Sequence, residues 1–291
     1  MTVQLINAYA ARSCAVRTQW NVLRPVDPEP PPAFLAGLAA DGLAYEADVY
    51  QRLESLHPEA AVIHPDGSVV DREEATRVAC DAGVPLVLAG RLPTDYVGRR
   101  VAQPDVLVRV GAVPVAGRWR YVAVDVKHHR VLAEEDAGAP VVVRDLADMA
   151  VPGDGDDVLA VGRRTPTIKG DLVQLAHYWR TLEAAGLVPT SPAWSGLLGA
   201  EGRIVWYRLD MPMWRHTSRS GVSAKLSSLG VYDLEFAQRL AIAAAAVAHR
   251  ADPEQPLLVE PVRIGSAPSA SGGCTADRSL PSARTFRCCR G

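Results

Sequence analysis

The 291-residue chain carries 31 Lys and Arg against 33 Asp and Glu, for a formal net charge of −2, and 48% of its residues are apolar. That is the profile of a soluble globular protein with enough chain for one large domain or two small ones. No apolar stretch approaches the length of a membrane span, since the best, LAIAAAAVAH at 240–249, is too short and reads as a buried Ala-rich helix. The N-terminus lacks the basic-then-apolar order of a secretory signal, so a cytoplasmic protein with reduced thiols is expected.

The Pro-rich RPVDPEPPP (24–32) cannot be helix or central strand and reads as a connector. Leu35, Leu38, Leu43, Val49 and Leu53 then follow a helical period over 33–56, most clearly from Tyr45 onward. A second helix is expected from Asp71 to Asp81, with Asp71 as a cap and Glu74 three positions later. Three β-like runs follow, VPLVLAG (84–90), QPDVLVRVG (103–111) and RWRYVAVDVK (118–127). The last two are joined by a short loop with Pro114 and Gly117, which predicts an antiparallel hairpin. Residues 131–166 are acidic and Gly/Pro-punctuated, with room for a strand at 141–143. An amphipathic helix is expected over 167–186, ending at Gly186, then a strand over 202–210 and a long helix from Val231 to His249.

Charge is unevenly placed. Arginine and lysine cluster at Arg99-Arg100, Arg118/Arg120, Lys127/Arg130 and Arg163-Arg164, whereas acidic residues gather at 41–74 and 134–157. A basic surface in the central third would suit a polyanion, and solvated loop charges would look the same.

The residues with most chemical content lie in YVAVDVKHHR (121–130). In a strand Asp125 and Lys127 share one face and Val124 and Val126 the other. Alone, the pair reads as the solvent face of an edge strand. Asp105 opens the neighbouring strand of the hairpin, and two carboxylates converging from adjacent strands suit Mg²⁺, which prefers a few carboxylate oxygens plus waters. Lys127 beside them would orient the attacking water or offset charge building on a phosphate. That combination is metal-assisted hydrolysis of a phosphodiester. His128 and His129 are adjacent, face opposite ways in a strand, and so do not grip one metal together. They extend a phosphate-facing rim with Arg130.

Pro104-Asp105 followed, some twenty residues later, by Asp125-Val126-Lys127 resembles the PD-(D/E)XK nuclease signature. GLAYEADVYQRL (42–53) places Glu46 where RecB-type nucleases carry a metal ligand, and DLVQLAHYWRTLE (171–183) is similar to their Q-x-x-x-Y helix through Gln174 and Tyr178. The VDVKHHR and QLAHYWR contexts look like actinobacterial-type RecB-like nucleases. The resemblance covers roughly residues 42–183. It implies an α/β fold with a PD-(D/E)XK restriction-endonuclease-like core, a mixed β-sheet flanked by helices. It implies a nuclease domain over 33–265, after an N-terminal segment and connector (1–32). It assigns catalysis to Asp105, Asp125 and Lys127, Mg²⁺ or Mn²⁺ to Glu46, Asp105 and Asp125, and DNA contacts to Gln174, Tyr178, Arg130 and His128. The implied partner is DNA, single-stranded or at ends, in repair, recombination or processing. A helicase partner is compatible with it, and a membrane is not involved. Two departures stand out: Ala102-Gln103 where the family has a glycine, and Asp125 where it usually has Glu.

Several such nucleases hold a [4Fe–4S] cluster on one early and three late cysteines, and Cys14 falls at the early position. The late ones are misarranged, with Cys274 isolated, Cys288 and Cys289 adjacent, and no C-x-x-C anywhere. The cluster is therefore not expected to assemble in this chain. Residues 266–291 turn to Ser, Ala, Gly and Arg, a disordered tail by composition, and a shifted reading frame after Gly265 would produce such an ending. Cys80 reads as a small buried residue. Two other functions remain at this level: a catalytically weak or inactive nucleic-acid-binding protein on the same fold, and a metal-dependent hydrolase of small phosphorylated substrates.

Overall fold

A computed structural model describes residues 4–24, 33–132, 140–153, 156, 159–160, 166–217 and 221–259. Most of the Pro-rich connector, Arg163-Arg164, the expected boundary at 265 and the tail with Cys274, Cys288 and Cys289 lie outside them. The chain forms two compact units, one of residues 4–12 and 33–234, the other of residues 13–24 and 235–259.

The first unit is mixed α/β. Its sheet contains β1 (Ala61–Val62), β2 (Leu86–Leu88), β3 (Val106–Val115), β4 (Arg118–Val126), β5 (Pro140–Asp145), β6 (Leu159–Ala160), β7 (Trp194–Leu198) and β8 (Arg203–Arg208). Their order is β1-β2-β3-β4-β7-β8-β5-β6. The β1/β2 and β4/β7 pairs are parallel and the other neighbours antiparallel. A parallel pair needs a crossover, and the segment between β4 and β7 includes the long helix α4 (Pro166–Ala184), which packs on both strands. Helix α3 (Val69–Asp81) packs on β2 and β4. A separate ribbon pairs β9 (Trp214–Thr217) with β10 (Ser223–Leu226). Near the chain start, Ile6 bridges Arg100, which ties the first residues to this unit.

The expected β3–β4 hairpin forms, with a tighter turn. Val115 pairs with Arg118, leaving Ala116 and Gly117 at φ +49° and +74°, the left-handed pair that a two-residue hairpin turn requires. Pro114 therefore lies inside β3, and the register slips between Val110 and Val115. At α3 the cap is Ser68, not Asp71. Ser68 Oγ accepts from the Asp71 N–H, and the Asp71 carboxylate accepts from the Ser68 N–H, a capping box worth about 1 kcal/mol.

Helix α2 (Ala33–Leu56) has its expected span, yet only Val49 and Leu53 are buried, while Phe34, Leu35, Leu38 and Leu43 are exposed. Helix α4 departs from the amphipathic expectation, because every residue from Asp171 to Trp179 is buried. Its polar residues look like a solvent face in sequence, but their partners lie inside the unit.

The second unit contains α1 (Ala15–Leu23) and the later part of α5 (Ser228–Ala251). Ala15, Ile242 and Val259 form its small core, with Val16 and Leu258 against it. The buried Gln19 amide donates to the Val259 carbonyl at 2.7 Å and accepts its N–H at 3.1 Å, as a strand neighbour would. Among the described residues no helix is long and apolar enough to cross a membrane.

Candidate active site

Strand β4 is interior, between β3 and β7, so the edge-strand reading of Asp125 and Lys127 does not hold. Asp125 is 2% exposed and Lys127 9%. The Val106–Val124 register carries Asp105 opposite Asp125 one step further on, and the Val126 N–H donates to Asp105 Oδ2 at 2.6 Å. On the other side the Lys127 N–H donates to the Leu198 carbonyl at 2.8 Å, which fixes the lysine backbone to β7 just beyond the strand's end.

Helix α4 brings its side chains onto this pair. Gln174 Nε2 donates to Asp125 Oδ1 and to the Tyr178 hydroxyl, both at 2.9 Å. Gln174 Oε1 accepts from Lys127 Nζ at 3.1 Å and from Arg12 Nη1 at 2.7 Å. The amide thus faces its oxygen to two cations and its nitrogen to a carboxylate and a phenol, so its orientation is determined. Lys127 Nζ also forms an ion pair with the buried Asp125 Oδ2. Glu46, Asp105, Asp125, Lys127, Gln174 and Tyr178 all line one open cleft of about 490 Å³. Glu46 sits on α2 and accepts from Tyr50, four residues along, at 2.7 Å.

The cleft is short of positive charge. Burial, then the charges of Asp125 and Glu46, raise the Asp105 carboxyl well above the carboxylate range. Asp125 is also pushed up by burial, against which Lys127 pulls. Burial works against the Lys127 charge, but Asp125 and Asp171 outweigh it and hold the ammonium protonated. Burial and the nearby Asp125 and Asp105 raise Tyr178, which keeps its phenolic hydrogen.

Among the described residues no three His, Cys, Asp or Glu side chains are grouped as a metal cage. Mg²⁺ and Mn²⁺ do not require one, since a hard divalent ion is commonly held by one or two carboxylates and completes its shell with waters and substrate oxygens. One observation fits such an ion: two carboxyl groups from neighbouring strand ends meet here, and burial and the charge of Asp125 disfavour ionisation of Asp105, which a cation would offset. Asp105 and Asp125 are therefore the residues that would hold it, with Glu46 at the cleft wall.

The remaining expected residues are placed differently. His128 is exposed just after β4, its ring stacked on Tyr45 with centroids 5.0 Å apart, and Arg130 is exposed beside it. His129 does not join that rim, because its Nε2 meets Asp171 Oδ2 at 3.0 Å. Trp179 is core. Cys14 is the residue preceding α1 in the second unit, and the three late cysteines lie outside the described residues. Cys80 is buried, its thiol pushed up to about 12 by burial and then by Asp81. Sequence reasoning missed Asp171, wholly buried and in contact with Arg12, Lys127 and His129. The available signal was its spacing, three residues before Gln174 on the same helical face. Arg12 had no signal, being 162 residues from its partner Gln174.

Compared with protein-family models, curated proteins and solved structures, the chain gives no match.

Proposed function

We propose that the chain is a metal-dependent DNA nuclease of the RecB-like, PD-(D/E)XK type. The observation that carries this reading is the meeting of Asp105, Asp125, Lys127 and Gln174, from two strands and a helix, in one cleft. Separated in sequence, these are the residue types that phosphodiester hydrolysis needs together: carboxylates for a hard cation and an ammonium for charge on the phosphate. Asp105 and Asp125 would hold the ion, which would supply Lewis acidity and a more acidic water.

The chain's own residues do the rest. The Val126 N–H holds the Asp105 carboxylate, and Gln174 Nε2 aims the Asp125 carboxylate. Gln174 Oε1 directs the Lys127 ammonium, which faces the developing charge on the phosphoryl oxygens and orients the attacking water. Tyr178 fixes the Gln174 amide from the far side and offers its own hydrogen to the cleft. Arg91 in the cleft wall and the exposed His128 and Arg130 suit the phosphates of a nucleic-acid strand.

A second reading, binding without efficient cleavage, has its own observation: Lys127 already pairs with Asp125, the carboxylate a cation would use. Incubation with single-stranded and duplex DNA in Mg²⁺, Mn²⁺ or EDTA separates the two. Cleavage that requires the ion supports the nuclease. DNA retention with no cleavage in either metal supports the binding protein. Hydrolysis of a small phosphodiester that excess polynucleotide does not inhibit points instead to a small-molecule hydrolase.

A further inference from the structure

Lys127 has a second carboxylate within reach. Its Nζ touches Asp125 and lies 3.6 Å from Asp171 Oδ1. Asp171 is 0% exposed, on the same face of α4 as Gln174. It also meets Arg12 Nη1 at 3.2 Å and His129 Nε2 at 3.0 Å. A buried carboxylate is tolerated only when paired and hydrogen-bonded. Arg12 and His129 are 29% and 39% exposed at their side chains, whereas Lys127 is 10%. Solvent can replace the first two partners more readily than the third.

Charge in the cleft gives Asp171 a part beyond packing. While Lys127 pairs with Asp125, the ammonium sits on the carboxylate that a cation would use. A divalent ion there repels the ammonium, which still has to remain nearby to face the phosphate. We propose that Asp171 is a positioning residue that takes over the Lys127 ammonium when a divalent cation occupies Asp105 and Asp125, so that the lysine stands beside the ion rather than competing with it. Gln174 keeps the movement short. Its Oε1 bonds Lys127 and, together with Asp171 Oδ1, surrounds Arg12 Nη1, so the ammonium exchanges one carboxylate for the other without leaving Gln174. The inference rests on the metal site of the nuclease reading and adds a residue which that reading does not use.

The test is the affinity of the full-length protein for Mn²⁺ alone, read by electron paramagnetic resonance of the free ion, in four proteins. These are wild type, Asp171→Asn, Lys127→Met and the double variant. Asp171→Asn in the wild-type background is expected to weaken Mn²⁺ about ten-fold, because the ammonium is left on Asp125. In the Lys127→Met background the same change is expected to cost no more than about two-fold, the through-space loss of one charge. Equal losses in the two backgrounds, or none in either, overturn the proposal while the metal site stands. No Mn²⁺ binding by wild type removes the metal site and the proposal with it. Should Asp171→Asn alone fail to fold, Arg12→Gln asks the same question by leaving Asp171 to the lysine. Mn²⁺ is then expected to bind at least as tightly as in wild type, and a ten-fold loss contradicts the role.

Discussion

Helix α4 carries two buried polar networks that differ in kind. Around His177 the hydrogen bonds close: Nε2 reaches the Val101 carbonyl and Nδ1 the Tyr232 hydroxyl, each at 3.0 Å. Tyr232 also accepts from Arg100 at 3.1 Å, and Arg100 pairs with Asp95 at 2.6 Å. Burial lowers His177 to about 4, so the ring is neutral and each of its nitrogens has a partner. Around Gln174 the network is charged and unbalanced, with Asp105, Asp125 and Asp171 near Lys127 and Arg12, and it opens to a cleft. Satisfied networks rigidify a fold, whereas a buried excess of one charge costs stability and selects for a ligand of the other.

The comparison breaks most directly at Asp105. Asp105→Asn is expected to cut metal-dependent cleavage by about 100-fold or more, the scale of losing one electrostatic element of a reaction centre. The same change is expected not to lower the melting temperature at neutral pH without metal, because the amide replaces a carboxyl whose ionised form is already disfavoured and can still accept from the Val126 N–H. A clear drop in melting temperature would make Asp105 a structural residue.

His177 should behave in the opposite way. Its folded pKa lies below its ordinary value of 6.5, so the folded state binds fewer protons and stability falls as pH drops from about 6.5 through about 4. The loss over that window is about 3 kcal/mol, read as denaturation midpoints against pH. In His177→Gln that slope is expected to flatten and the stability at pH 7 to fall by about 1–3 kcal/mol, with cleavage within about three-fold of wild type. A slope unchanged in the variant assigns the acid sensitivity elsewhere.

Gln174 belongs to both descriptions. Gln174→Ala leaves Asp125 and Tyr178 without its amide, so about 1–3 kcal/mol of stability and about ten-fold in rate are expected to go together. The smallest effect is on α3, where Arg77 pairs with Glu74 and Asp81 in solvent. Glu74→Gln is expected to leave both melting temperature and cleavage unchanged, since exposed ion pairs contribute little. A measurable loss there would mean that burial does not separate the two kinds of charge in this protein.

The sequence made some of this legible and hid the rest for physical reasons. Valine-rich apolar runs announce β3 and β4, and a helical period announces α2 and α4. The segment WSGLL, which became β7, carries no alternation, since both of its faces are buried beside β4. The apolar period of α2 suggested a core that its first half does not have. Within the site, Asp125, Lys127, Gln174 and Tyr178 were visible as local spacings, i and i+2 on a strand or i and i+4 on a helix. Asp171 looked like an ordinary helix-surface charge, and Arg12 reaches it across 159 residues, a relation no local spacing encodes. His129, expected with His128 and Arg130 on a phosphate-facing rim, falls after the strand has ended and turns toward Asp171 instead.

The central claim is that the cleft at Asp125 and Lys127 cleaves phosphodiesters with a divalent ion. Rates of DNA cleavage in Mg²⁺ and in Mn²⁺ by wild type, Asp125→Ala and Lys127→Ala, each checked for folding, test it most directly. Ion-dependent cleavage by wild type that falls by about 100-fold or more in both variants is the expected result. Cleavage at the wild-type rate in both variants would contradict the claim.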